Sequence, residues 1–352
     1  MGTKIERKKV FHFLNTGSYS GAENVVVNIA QLVDNYEHVY VSPDGQITEI
    51  LRKNNIKHIP IPKLSYSTFS RIVRKYRPDI VQAHDFKASI IAGSLSSKVT
   101  SYGGKVISQL HKNDVRMSKI STLSVVFLLL LKRFSKVIVV SQAVVDEYIF
   151  KDKLKDKAVV VNNIVNLKNI QKESLAFDVK DYDIVYVARI SDEKGPLRFV
   201  DIIEQVNLRK PIRVIWVGDG NMLNIVKKAI SAKKLDNVIK LVGFQSNPYP
   251  YIKSGKVALL TSKYEGFGLS ALESQLLGKP VVSTDVGGIH AIVSDKSGLL
   301  TNDDNEFVSE VVKLLKDEQY YLEKQKHAKI RSMKINDIPG YVRKFQSIYG
   351  ES

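Results

Sequence analysis

The chain has 352 residues, more than one domain usually holds, and its 44% apolar content can supply two cores. It contains no cysteine, which excludes a disulfide framework, a thiolate nucleophile and cysteine-based zinc sites. The net charge of +17 is uneven: residues 1–165 hold 25 Lys and Arg against 13 Asp and Glu, whereas residues 166–352 hold 28 against 23. A basic first half suggests an anionic partner, whether nucleic acid, a lipid surface or a phosphorylated substrate; plain solubility is the simpler alternative. The opening MGTKIERKKVFHFL lacks the apolar stretch of a signal peptide. The longest apolar run, 125–131, falls far short of the ~20 residues a spanning helix needs, so a cytoplasmic protein is expected.

In chain order, short β-branched runs predict strands over 9–14, 38–41, 58–61, 79–84, 105–110, 136–141 and 159–161. Helical spacing lies between them, as in 22–33, 68–76 and 125–134. The rhythm restarts with YDIVYVAR, then RVIWVG, VIKLVG, VALLTS, PVVSTD and GLLT. Alternating strands and helices imply parallel sheets built from right-handed βαβ units. A polar stretch over 162–181 separates the two series. The expected fold is therefore α/β, with two doubly wound, Rossmann-like domains at 1–165 and 166–335 facing a cleft. A last helix near 339–349, within a tail over 336–352, is expected to pack back across the seam. Ligands in such sheets sit beyond the carboxyl ends of the strands.

Chemistry-bearing residues gather at those ends. After the first strand, Gly17 and Gly21 flank a turn that opens onto a helix and could present backbone N–H groups to an anion. The spacing is not that of a dinucleotide fingerprint, and a tight βα turn explains it equally well. His84 and Asp85 close one strand, and His111 closes the next. A lone strand-end histidine is more often structural, but two from different strands point towards function. Neither has metal-ligand spacing, and the acidic cluster at 302–304 reads as a helix cap, so no metal site is expected. Arg189 and Lys194 share one loop and suit a diphosphate, the first as a planar fork and the second as a point charge.

The most informative stretch is SKYEGFGLSALESQLLGKPVV, residues 262–282. Gly266 and Gly268 allow close backbone approach, and the helix that follows offers N–H groups and its dipole to a phosphate. Glu265 is placed to accept from sugar hydroxyls. Glu273, a turn into the helix, could hold a ribose, although a carboxylate in a first turn also complements the dipole.

This stretch, extended through STDVGG and joined to YVARISDEKG and WVGDG, resembles the retaining glycosyltransferases of GT-B fold (glycosyltransferase family 4-like, group 1). SGAENVVVNIA, DIVQAHDF, SQLH and VIVVSQAVVDEYI fit the same family's order, so the resemblance covers nearly the whole chain. It implies that Arg189 and Lys194 bind the donor diphosphate, Glu273 the ribose, and Glu265 the donor sugar beside Gly266, Phe267, Gly268 and Leu269. Gly17, Gly218 and Gly243 join the donor side, and Ser20, Gly21 and Asp85 the acceptor side. His111 matches the family's histidine near the reaction centre. Ser20 departs from the family's usual glycine, Ser274 from its usual alanine, and NNIVN from its Asn-Gly pair.

The implied reaction is retaining, metal-independent transfer from a nucleotide-sugar, a UDP-hexose or UDP-N-acetylhexosamine, to a glycan or lipid-diphosphate-linked acceptor in surface polysaccharide or glycoconjugate synthesis. No cofactor is expected beyond that donor. Residues 119–136 combine an apolar run with Lys119, Lys132, Arg133 and Lys136, which suits either a buried crossover helix or a segment touching anionic membrane at its inner face. A GT-B UDP-sugar epimerase is the first rival. A nucleic-acid-binding protein is the second, although no aromatic-studded basic motif or helix-turn-helix is present.

Overall fold

The computed structural model describes residues 7–112 and 114–350, and the chain divides into two units. The first comprises residues 1–164 with 338–352, the second 165–337.

The first unit holds seven strands: β1 (Lys9–Phe13), β2 (Glu37–Ser42), β3 (Lys57–Pro60), β4 (Ile80–His84), β5 (Lys105–Leu110), β6 (Lys136–Val139) and β7 (Ala158–Val160). All pair in parallel in the order β3-β2-β1-β4-β5-β6-β7. Runs such as Val39–Val41 are buried because helices cover both faces of a doubly wound sheet. The order reverses between β1 and β4, which makes their carboxyl ends the topological switch point.

The second unit repeats the plan with β8 (Tyr182–Val187), β9 (Val214–Val217), β10 (Ile239–Leu241), β11 (Gly255–Leu260), β12 (Val281–Ser283) and β13 (Gly298–Leu300). They pair in parallel as β10-β9-β8-β11-β12-β13, so the switch lies between β8 and β11. Its core is centred on Trp216, Tyr186 and Phe199, whose rings lie 4.0–5.0 Å apart. Such aromatic contacts add about 1 kcal/mol each beyond area burial.

The two series of parallel strands are those expected from the sequence, with shifts of one or two residues at most ends. One helix differs more. The element expected over 125–134 is a helix at Thr122–Leu130 followed by a tighter turn at Leu131–Arg133. It starts early because Ser121 Oγ accepts from the Ser124 amide at 3.1 Å while Ser124 Oγ accepts from the Ser121 amide at 2.9 Å. The last helix, Ile338–Tyr349, belongs to the first unit, where Tyr349 donates to Gln82 Oε1 at 2.5 Å.

Candidate active site

In the second unit, two loops leave the switch point side by side. One runs from Ala188 to Gly195 beyond β8, the other from Thr261 to Gly268 beyond β11. The buried Tyr186 ties them, donating to the Lys194 carbonyl at 2.6 Å and contacting Thr261 Oγ1 at 3.0 Å. Thr261 Oγ1 in turn donates to the Gly195 carbonyl at 3.0 Å, and the Lys263 amide to the Glu193 carbonyl at 2.8 Å.

Across these loops Lys194 Nζ meets Glu265 Oε1 at 2.6 Å, and Ser262 Oγ donates to the same oxygen at 2.7 Å. The pair is mostly shielded, with side-chain exposures of 21% and 10%, so its geometry is held more firmly than that of a surface ion pair. An ammonium has three donors, so Lys194 can hold Glu265 and still face an anion. Arg189, at 51% side-chain exposure, pairs with Glu193 four residues on.

Gly268 caps the helix Leu269–Leu276 with φ +95°, a left-handed conformation that favours glycine. Beside it the 287–288 turn presses onto the 265–267 backbone: the Gly288 amide donates to the Glu265 carbonyl at 3.0 Å. A Cβ on Gly287 would collide with that carbonyl, and one on Gly288 with the Gly266 carbonyl. The glycines of DVGG thus hold the Glu265 loop in place from behind. Phe267 is buried beneath the loop, and Leu269 is half-buried at the start of the helix. Glu273 lies in the helix, buried, and accepts from Tyr249 Oη at 3.2 Å. Gly218 follows β9, where its amide donates to the Gly243 carbonyl at 2.8 Å beyond β10.

In the first unit, Gly17 lies against the Pro43–Asp44 backbone and accepts from the Ile47 amide at 3.0 Å. Ser20 caps the helix Gly21–Leu32: its amide and hydroxyl both donate to Glu23 Oε2, at 3.0 and 2.6 Å. Glu23 is buried, and burial pushes its carboxyl above the usual range. Asp85 takes φ +63° at the end of β4 and accepts from the His111 amide at 3.2 Å. A non-glycine residue held in that region is a conformation that clusters at functional sites. His111 and His84 are both buried and bonded to each other at 2.9 Å, so His84 is a link within the sheet layer and not a second free strand-end histidine.

The structure therefore gathers Arg189, Lys194, Glu265–Leu269 and Glu273 around one switch point, and Gly17, Ser20, Gly21, Asp85 and His111 around the other. Sequence reasoning passed over Ser262, Tyr186, Tyr249, Glu23, His12 and His38. Two of these left a trace: a histidine inside an apolar strand run, as in KVFHFL and EHVYVS, is a polar group in need of a buried partner. Among the described residues, no group of three or more His, Asp or Glu could hold a metal ion.

Two parallel Rossmann-like sheets with glycine-laced loops at their switch points match the GT-B fold, and the family models that fit the two halves of the chain make it a glycosyltransferase of that fold. Residues 19–169 match the Glycosyltransferase Family 4 model and residues 168–333 the Glycosyl transferases group 1 model, and the chain belongs to that family. It is 27% identical to the uncharacterized glycosyltransferase MJ1059 of Methanocaldococcus jannaschii over 61% of this chain and 57% of that protein. The chain thus spans little more than half the length of that relative. It is 22% identical to the Escherichia coli UDP-Gal:alpha-D-GlcNAc-diphosphoundecaprenol alpha-1,3-galactosyltransferase over 88% of each. Anabaena Alr3699/HepE, solved in complex with UDP and glucose, has the same fold, with TM-score 0.83 and 20% identity over 97% of this chain and 99% of that one.

Proposed function

We propose that the chain moves a sugar from a UDP-sugar to a lipid-diphosphate-linked or glycan acceptor, with retention at the anomeric carbon. The observation that carries this reading is the Ser262–Glu265–Lys194 constellation. It sets a cation, an oriented carboxylate and a helix N-terminus side by side at a switch point. Lys194 and Arg189 receive the diphosphate, aided by the amides at the start of the helix Leu269–Leu276. Glu265, oriented through Oε1, uses its remaining acceptor capacity on sugar hydroxyls, and Glu273 holds the ribose. The residues of 166–335 serve the donor in this reading, and those of 1–165 the acceptor. Two relatives support the choice of substrates. The Escherichia coli enzyme is named for UDP-Gal and a diphosphoundecaprenol acceptor, and a Campylobacter jejuni relative, 29% identical over 43% of this chain, for a diphospho-undecaprenol acceptor.

No carboxylate among the site residues is assigned as a nucleophile beneath the sugar. The favoured course is front-face displacement through an oxocarbenium-like state, with the leaving charge met by Lys194, Arg189 and helix N–H groups. Preorganised electrostatics of this kind is usually the largest catalytic term. The scheme needs neither a metal nor a cofactor, so chelator should leave turnover unchanged, and loss rescued by magnesium or manganese would overturn that part.

The first unit also suits attachment to the inner face of an anionic membrane. Ile120, Val125 and Leu129 are exposed near Lys119, Lys132, Arg133 and Lys136, while Phe127, Leu131 and Phe134 are buried on the other side of the segment. No helix among the described residues is long and apolar enough to cross a membrane.

The test supplies labelled UDP-sugars with and without a polyprenyl-diphosphate-linked sugar. Product should form only with the acceptor, keeping the donor's anomeric configuration. Isomerised sugar or free nucleotide formed equally fast without acceptor would favour the epimerase; the Escherichia coli and Campylobacter jejuni relatives are both named as transferases.

A further inference from the structure

His111 ends a line of four buried histidines whose other members have no part in the reading above. His38 on β2, His12 on β1, His84 on β4 and His111 just beyond β5 bond ring to ring at 2.9, 3.1 and 2.9 Å. Strand register produces the line. His12 pairs with Tyr40 and with Gln82, and His84 pairs with Gln109. Each step to the next strand therefore advances two residues, which keeps all four side chains on one face of the sheet.

Each ring-to-ring bond needs one N–H and one lone pair. At the far end His38 Nε2 lies 2.8 Å from the Val33 carbonyl, which can only accept, so that nitrogen carries a proton. Burial disfavours the imidazolium at all four positions, so each ring holds a single proton. Asp34 acts electrostatically on His38, and Asp85 on His111, each favouring the charged ring less strongly than burial opposes it. On the helix Ile338–Tyr349, Tyr349 faces His38 with ring centres 6.4 Å apart. One assignment satisfies every contact. His38 Nδ1 is bare and accepts from His12 Nε2–H, His12 Nδ1 accepts from His84 Nε2–H, and His84 Nδ1 accepts from His111 Nε2–H. The remaining atom, His111 Nδ1, is buried and has no hydrogen-bond partner.

We propose that His38, His12 and His84 are positioning residues that carry the proton pattern from the Val33 carbonyl to His111, fixing it as the Nε2–H tautomer whose Nδ1 lone pair accepts from a substrate hydroxyl. A bare nitrogen there repels phosphate oxygens, so His111 reads a hydroxyl and takes no share of the diphosphate. The proposal rests on the glycosyl-transfer reading for its substrate but not for the tautomer.

The test is nitrogen-15 NMR of the full chain with labelled histidine, beside transfer kinetics. Wild-type His111 should show a bare Nδ1 and a protonated Nε2. His84→Leu removes the acceptor for His111 Nε2–H. It should mix the tautomers and lower kcat by about tenfold, the size of one hydrogen bond, with KM for the donor unchanged. His84→Asn, whose Oδ1 accepts where the ring nitrogen did, should restore both. His38→Phe breaks the anchor three rings away and should mix the tautomers of His111 even if the His84 variants do not fold. A protonated Nδ1 in the wild type, or an unchanged tautomer in both His84→Leu and His38→Phe, would overturn the proposal. Correct tautomers in a chain that transfers no sugar would instead sink the glycosyl-transfer reading alone.

Discussion

The two switch points are built from opposite materials. That of the second unit is ionic and partly open: Lys194 with Glu265, Arg189 with Glu193, and Lys263 with Asp192. That of the first unit is built on a buried row of rings beside the Tyr349–Gln82–Gln109 contacts, with Asp85 at its end. The difference follows from what each must hold. A cation cannot be buried alone without a large desolvation cost, so the mostly shielded Lys194 sits against the Glu265 carboxylate. A neutral ring can be buried outright, and burial is what lets a hydrogen-bonded row keep a single proton arrangement.

Acid should separate the two regions most strongly. Below the ordinary histidine value of 6.5 an unfolded histidine gains a proton that the buried ring refuses. The unfolded state then binds more protons, so stability is full above 6.5 and falls as pH drops towards the lowered folded values. Each ring that stays neutral costs about 1.4 kcal/mol per pH unit, so the row makes the first unit the acid-sensitive one. Amide hydrogen exchange followed below neutral pH should show β1, β4 and β5 losing protection while β8 and β11 hold theirs. Equal loss in both sheets would mean that the row does not set the acid limit.

Activity should separate them next. Glu265→Ala and His111→Ala should each slow transfer by at least about a hundredfold, within the range for one preorganised group, while nucleotide binding stays near wild type. The measurement is initial rate and UDP affinity on the same preparations. Near-normal rates in both would reduce the two glutamates of YEGFGLSALE to helix-capping residues.

How much of this could be read from the chain depends on distance along it. The sheets were legible because buried parallel strands are written as contiguous β-branched runs. The Glu265 loop was legible because its glycines, carboxylate and helix start are neighbours in sequence. The Lys194–Glu265 pair spans 71 positions and is created by the adjacency of β8 and β11, which no local pattern encodes. The histidine row depends on an offset of two residues at each strand, and the sequence does not state register. Only His84 and His111 stood out, each at a strand end, and so His84 looked like a free strand-end group. DVGG was recognisable only as a motif, while its reason, contact with the Glu265 and Gly266 carbonyls, is tertiary.

A smaller effect distinguishes the two cations. Arg189→Ala and Lys194→Ala should each weaken UDP binding by about tenfold, the scale of one charge-assisted hydrogen bond. Only Lys194→Ala should also slow transfer at saturating donor, because it leaves the Glu265 carboxylate without its cation. Calorimetry with UDP and a kcat series test this. Wild-type affinity in both variants would remove the phosphate assignment, and equal kcat would remove the orienting role of the ion pair.

The smallest effect returns to the first unit, at its surface. Lys132 and Arg133 are exposed in the turn that ends the helix Thr122–Leu130, and Leu129 presents an open apolar side chain one residue before that helix ends. A basic residue near an anionic surface contributes about 1 kcal/mol, a factor of roughly five in partitioning. Lys132→Gln and Arg133→Gln should each lower co-sedimentation with phosphatidylserine vesicles by that factor, and added salt should lower it further. Leu129→Ser should weaken binding without changing the salt dependence, since it removes apolar contact and no charge. Replacing Phe127, which is buried against Phe86 with ring centres 5.2 Å apart, would unsettle the fold and so tests nothing about the surface. Equal binding to neutral vesicles, or binding unaffected by all three substitutions, would remove the lipid surface as the explanation of the basic first unit.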